Sequence, residues 1–144
     1  MNRINGTSPL ARYEIASGAT ITPHDIVALN GDGKAVPAAD TAGLKVIGIA
    51  AKVEADGVEV ESGIFSFAND TTHAVARTDR GAACYIKDKA TVASEGTNSI
   101  AAGLVVDVYD GEVYVAITVP ALAAAAAQIA AAAASAAASA PAAG

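Results

Sequence analysis

"GLVVDVYDGEVYVAITV", residues 103–119, is the stretch whose reading decides the fold. Its centre, Asp110–Gly111, is the kind of pair that supplies the positive backbone angles of a two-residue hairpin turn. On the second arm Val113, Val115, Ile117 and Val119 point one way, and Tyr114, Ala116 and Thr118 point the other. That is the period-two alternation of a strand with one face on a core. The same grammar recurs upstream. "DIVALNGDGKAVPA" (25–38) reads as strand, Asn30–Gly31–Asp32–Gly33 turn, strand, and "KVIGIAAKV" (45–53) is an apolar run in which Gly48 marks a bend or a close backbone approach. In "GVEVESG" (57–63) Val58 and Val60 alternate with Glu59 and Glu61, and in "IFSFAN" (64–69) Phe65 and Phe67 share a face. No segment before Pro120 sustains a 3.6-residue period. Residues 13–119 therefore read as one all-β domain, a compact β-barrel or sandwich of short antiparallel strands.

Two appendages flank it. Residues 1–12, "MNRINGTSPLAR", read as an extended N-terminal arm rich in turn formers. Residues 120–144 read as an Ala-rich C-terminal helical tail, with the helix expected over Ala121–Ala140. Proline suits a helix start, and alanine has the highest helix propensity. Leu122 and Ile129 stand seven residues apart, on one stripe with Ala125, Ala126, Ala132 and Ala133. So small a stripe buries little. It either packs against related copies in an oligomer or lies over its own domain. On the first of these, Leu122 and Ile129 are the contact residues. In the arm, Arg3 and Arg12 are candidates to meet acidic groups on a neighbouring subunit, and Ile4 and Leu10 to fill small pockets there.

Charge and composition narrow the function classes. The 144 residues carry 9 basic and 15 acidic side chains, a formal charge of −6, and no basic cluster. Nucleic-acid binding, which calls for a basic face, is not expected. The aromatic content of 4% with no Trp leaves Val, Ile, Leu and Ala to build the core. The N-terminus lacks the apolar run of a secretory signal. The tail has the length of a membrane span, but alanine supplies almost no driving force for insertion, so no membrane partner is expected. Cys84, the single cysteine, excludes an intrachain disulfide and reads as a small buried strand residue.

No catalytic, cofactor-binding or metal-binding set emerges, and the chain is read as a non-enzyme without cofactors. His24, in the turn "TPHDI", and His73 are the only histidines, and neither has ligand spacing. No G-x-S-x-G elbow occurs, and "NGDGK" is too short for a phosphate loop. The carboxylates Glu54, Asp56, Glu59 and Glu61 read as a solvated strand face. "IKDKATVAS" (86–94) resembles the hairpin tip on which lipoyl carrier domains bear their modified lysine, which would make Lys89 the attachment site. Upstream, Gly81 lies too close to the lysine for that pattern, and no matching second half follows. A lipoyl-type carrier, or another small β-barrel ligand-binding module, is the alternative reading.

Taken in order, the β segments resemble the small capsid cement, or head decoration, proteins of tailed bacteriophages. The similar features are the "G-x-x-I…D-I-V-x-L…G-K-A" opening, "V-I-G-I-A", "V-x-V-x-x-G-I-F-x-F", "D-x-G…C-Y-I-x-D-x-x-T-V" and the closing "D-G-E-V-Y-V-A-I". They span about residues 11–119. The resemblance implies a structural β-domain, made in the bacterial host cytoplasm, that binds the major capsid protein on the virion exterior. It further implies a homotrimer that stabilises the head against internal DNA pressure. The alanine tail lies outside the family pattern.

Overall fold

A computed structural model describes residues 11–139. Among the described residues ten strands and one α-helix follow one another: β1 (Ala11–Glu14), β2 (Ile26–Leu29), β3 (Ala35–Pro37), β4 (Lys45–Val53), β5 (Gly57–Glu61), β6 (Gly63–Asn69), β7 (Ala83–Asp88), β8 (Thr91–Ala93), β9 (Ala101–Tyr109), β10 (Glu112–Ile117) and α1 (Val119–Ser139). A 3₁₀ turn at Arg77–Asp79 precedes β7. The strands form two units. One is an antiparallel sheet in the order β1-β5-β4-β2-β3; the other is a closed barrel, β10-β6-β8-β7-β9. The barrel thus takes the place of the sandwich left open by the sequence. Its β6–β8 pair is parallel, Ala68 with Thr91 and Asn69 with Val92, which short antiparallel strands alone do not anticipate.

The hairpin at 103–119 behaves as its sequence dictates. Asp110 (φ 53°) and Gly111 (φ 79°) make the turn, and Val113, Val115 and Ile117 are fully buried. Val119 departs from the expected alternation. The strand stops at Ile117, and Val119 begins the helix, 81% exposed. Thr118 causes the change: its Oγ1 accepts from the Ala121 N–H at 3.2 Å and its carbonyl from the Leu122 N–H at 2.8 Å, an N-cap that leaves Val119 and Pro120 to open the first turn, where proline is tolerated.

Elsewhere Asn30 holds the β2–β3 turn, its Oδ1 accepting from the Asp32 and Lys34 N–H groups at 2.9 and 3.0 Å. Gly48 is a close approach. A Cβ there would stand 2.5 Å from the Glu61 carbonyl oxygen, in the strand next door.

Two cores result. Ile26, Ala28, Val46 and Ile49 of the sheet join Phe67, Ile86, Val92, Val105, Val113, Val115 and Ile117 of the barrel in one cluster. On the sheet's other face Val27, Ala50, Val58 and Val60 pack with Ile21 and Ala35. This second cluster is enclosed because the sheet curls: Ile15, just past β1, bridges Ala35 of β3 in parallel. Cys84 is fully buried in the barrel, and burial pushes its thiol pKa up to about 12.

Candidate functional site

Helix α1 lies on its own barrel. Ala121 and Ala125 are buried one turn apart, so the helix axis comes close to the strands beneath. Gln128, one turn further along, fixes the contact with its amide: Oε1 accepts from the Ala83 N–H at 2.9 Å, and Nε2 donates to the Gly81 carbonyl at 3.1 Å. One side chain thereby satisfies a donor and an acceptor at the entrance of β7. Beyond it, Ala130–Ala134 stand exposed. Within the chain the helix is laid over its own domain, one of the two arrangements open for this tail.

Leu122 and Ile129 sit on the flank of that contact, both half-buried, and Leu122 packs against the main core. They line an open apolar groove of about 560 Å³, whose other wall is Leu44, Val46, Ile100 and Ala101. They therefore face the groove of their own domain. Arg12 sits elsewhere. It is the second residue of β1 rather than the last of an arm, and its guanidinium pairs with Glu54 and, at 3.0 Å, with Asp56. Two of the carboxylates read as a solvated face are thus its partners within the same chain. Arg3, Ile4 and Leu10 lie outside the described residues. The candidate residues that are described line two separate surfaces and do not converge.

A second surface went unread in the sequence. Ile64 on β6, Val106 and Tyr109 on β9 and Tyr114 on β10 are 60%, 42%, 64% and 37% exposed. Together they line a shallow concavity with Asp107. Strand pairing brings them together: Tyr114 lies opposite Ser66 on one side and Asp107 on the other. Arg77 donates to Asp107 at 3.1 Å, and with the Val108 N–H it holds that carboxyl below its ordinary pKa. The register break between Tyr114 and Val115 turns Val106 outward, so strict alternation could not have shown it.

Asp40 and the His73–Glu95 pair tie loops together. Asp40 accepts from the Thr97 and Asn98 N–H groups at 2.9 and 2.8 Å. His73 Nδ1 lies 2.8 Å from Glu95, and both line a polar cavity of about 310 Å³ with Asp40 and Asp70. Among the described residues no group of three or more His, Cys, Asp or Glu side chains is placed to hold a metal. His24 occupies the turn expected of it, at φ 77°, with its N–H donating to the Ala50 carbonyl.

Lys89 and Ala90 form the two-residue turn between β7 and β8, a hairpin tip as the lipoyl comparison requires. This tip is docked, however. The Lys89 carbonyl accepts from the Ile26 N–H at 2.9 Å, and Nζ stands 3.6 Å from Asp25 Oδ2. Asp25 is itself buried and accepts from the Thr22 N–H and hydroxyl at 2.8 and 2.9 Å. Among the described residues no helix is long and apolar enough to cross a membrane. In comparisons with protein-family models, curated proteins and solved structures, nothing matches this chain.

Proposed function

We propose that this protein is a structural virion component that binds the outside of a tailed-phage head, on the major capsid protein, and stabilises the shell without catalysing a reaction. The observation that carries the reading is the outward patch of Ile64, Val106, Tyr109 and Tyr114 on a closed barrel. Apolar side chains gathered on one rigid face favour burial against another protein. The ordered β segments that resemble decoration proteins supply the identity of that partner, and an acidic surface with formal charge −6 suits a protein target better than nucleic acid.

The bound form is a homotrimer. The groove beside Leu122 and Ile129, together with the exposed alanines 130–134, gives each copy a second apolar surface for self-association. The test is cosedimentation with heads assembled from the major capsid protein of the same genome. Wild-type protein pellets with the heads, whereas Ile64→Ser/Tyr114→Ser stays in the supernatant while its circular dichroism remains native. Equal pelleting of both proteins, or of neither, overturns the proposal.

The carrier alternative draws on one observation, the position of Lys89 at a two-residue hairpin tip. The contacts of that tip with Asp25 and Ile26 count against it, because a carrier lysine must swing free of its domain. A lipoyl-sized mass increment on Lys89 in protein from its native source would favour the alternative.

A further inference from the structure

The outward face of the barrel is polarised along its strands. On β10 the exposed row is Glu112 and Tyr114, followed by half-buried Ala116, while Val113, Val115 and Ile117 point into the core. Strand pairing sets Tyr109 of β9 directly opposite Glu112, and Ile64 of β6 directly opposite Ala116. Directly opposite residues share a face. Glu112 therefore stands beside Tyr109 and two residues from Tyr114, on the rim of the apolar patch. Asp110, in the turn before it, is exposed as well. The cations of this face hold its β9 margin instead. Arg77 donates to both oxygens of Asp107, Nε to Oδ1 at 3.1 Å and Nη2 to Oδ2 at 3.5 Å, and Arg80 Nη1 stands 4.0 Å from Oδ1. With the Val108 N–H also on Oδ1, that carboxylate is fully engaged. Among the described residues neither Asp110 nor Glu112 has an ion-pair partner.

We propose that this face docks an extended segment of its protein partner through an arginine, whose guanidinium lies against the Tyr109 and Tyr114 rings and pairs with Glu112. The inference rests on the face being a protein-binding surface and adds the chemistry of what covers it. Charge complementarity selects a cation: the exposed charges at the hairpin tip are carboxylates, on a chain of formal charge −6. An aromatic ring beside a carboxylate selects arginine over lysine. The planar guanidinium stacks on the ring while its N–H groups fork onto the two oxygens, and an ammonium has no such plane. Asp107, already shared by two guanidiniums, offers no competing seat. The spacing then describes the segment. Glu112 and Ala116, which is level with Ile64, are four residues apart, about 13 Å along a strand. An extended chain with an arginine over Glu112 thus sets its side chain two residues away over Tyr114, and an apolar one four residues away over Ile64.

NMR titration of the full chain with the peptide acetyl-Leu-Thr-Val-Thr-Arg-amide tests it. The control is the same peptide with citrulline for arginine, which keeps the shape and loses the charge. The arginine peptide shifts the ring signals of Tyr109 and Tyr114 and binds about threefold to tenfold more tightly than the control at low salt. That margin shrinks as salt is added. Glu112→Gln removes most of it, whereas Asp32→Asn, in the β2–β3 turn, leaves it intact. Equal affinity of the two peptides, ring signals that move with neither, or a margin that survives Glu112→Gln overturns the inference. Ring signals that move on dilution of the protein alone also overturn it, because the face is then covered by a second copy. Head binding is read separately. Heads that take up wild type and Glu112→Lys equally overturn the inference and leave the capsid reading standing; heads that take up neither remove the capsid reading, and the peptides still decide this one.

Discussion

Gln128→Ala tests whether α1 is held by specific bonds or by its alanines alone. Alanine is the best helix former, so the substitution raises intrinsic helicity by a few tenths of a kcal/mol and leaves no propensity penalty to confuse the outcome. What it removes is a pair of hydrogen bonds, at 2.9 Å to the Ala83 N–H and 3.1 Å to the Gly81 carbonyl. Gly81 is exposed and Ala83 half-exposed, so water largely replaces the lost partners and no full desolvation penalty arises. At about 0.5–1.5 kcal/mol per bond, the clamp contributes about 1–3 kcal/mol to docking. The remaining contact is small: Ala121 and Ala125 fully in, Leu122 and Ile129 half in. A helix of this composition is marginal once released. Converted at about 1.4 kcal/mol per decade, the loss raises amide exchange over residues 125–131 by about fivefold to a hundredfold or slightly more. Exchange in β9 and β10 stays as it was. Exchange-detected NMR of the two proteins at one pH decides the matter. Identical helix exchange rates would show that the clamp is incidental and that apolar contact alone seats α1.

Further outcomes follow from the interior. Cys84, with its thiol pushed up to about 12 by burial, stays unreactive toward a thiol reagent at pH 8 until the protein unfolds. The unfolded chain ionises this thiol near 9.0 while the folded chain does not, so stability falls by about 1.4 kcal/mol per unit as pH rises from 9 toward 12. Urea titrations of wild type and Cys84→Ala across that range check the sign, the variant showing the shallower decline. Gly103→Ala drives a Cβ into the Ala116 carbonyl of the paired strand at φ 149°, and it costs about 3 kcal/mol or more, read as a drop in the urea midpoint. Lys89→Ala leaves head binding unchanged, because the lysine serves only to pin the β7–β8 turn to Asp25; cosedimentation of the variant checks this.

The legible part of this fold was the part written in local chemistry. Asp110–Gly111 fixed a turn, Asn30–Gly33 another, and Pro120 a helix start, because each depends on backbone preferences within four residues. Long-range pairing was not legible. The parallel contact of β6 with β8 and the curl that brings Ile15 to Ala35 rest on tertiary closure, which leaves no periodic mark. Val119 was misplaced because Thr118 serves at once as the last alternating position and as the helix cap. At the candidate site, the stripe through Leu122 and Ile129 was visible, but not which surface it would meet. One signal was available: Gln128 is the sole polar residue between Pro120 and Ser135, and a lone amide in a run of alanines marks a bonded position. The apolar patch around Tyr114 had no such mark, since the register break that exposes Val106 is a property of the paired strands and not of either alone.

The most direct measurement is a cryo-electron microscopy reconstruction of heads from the same genome, mixed with this protein and compared with bare heads. The capsid account predicts added density on the outer surface, in threefold-related copies, with the face of β6, β10 and β9 that carries Ile64, Tyr109 and Tyr114 against the shell or a neighbouring copy. Identical maps, or density confined to the interior, would contradict it.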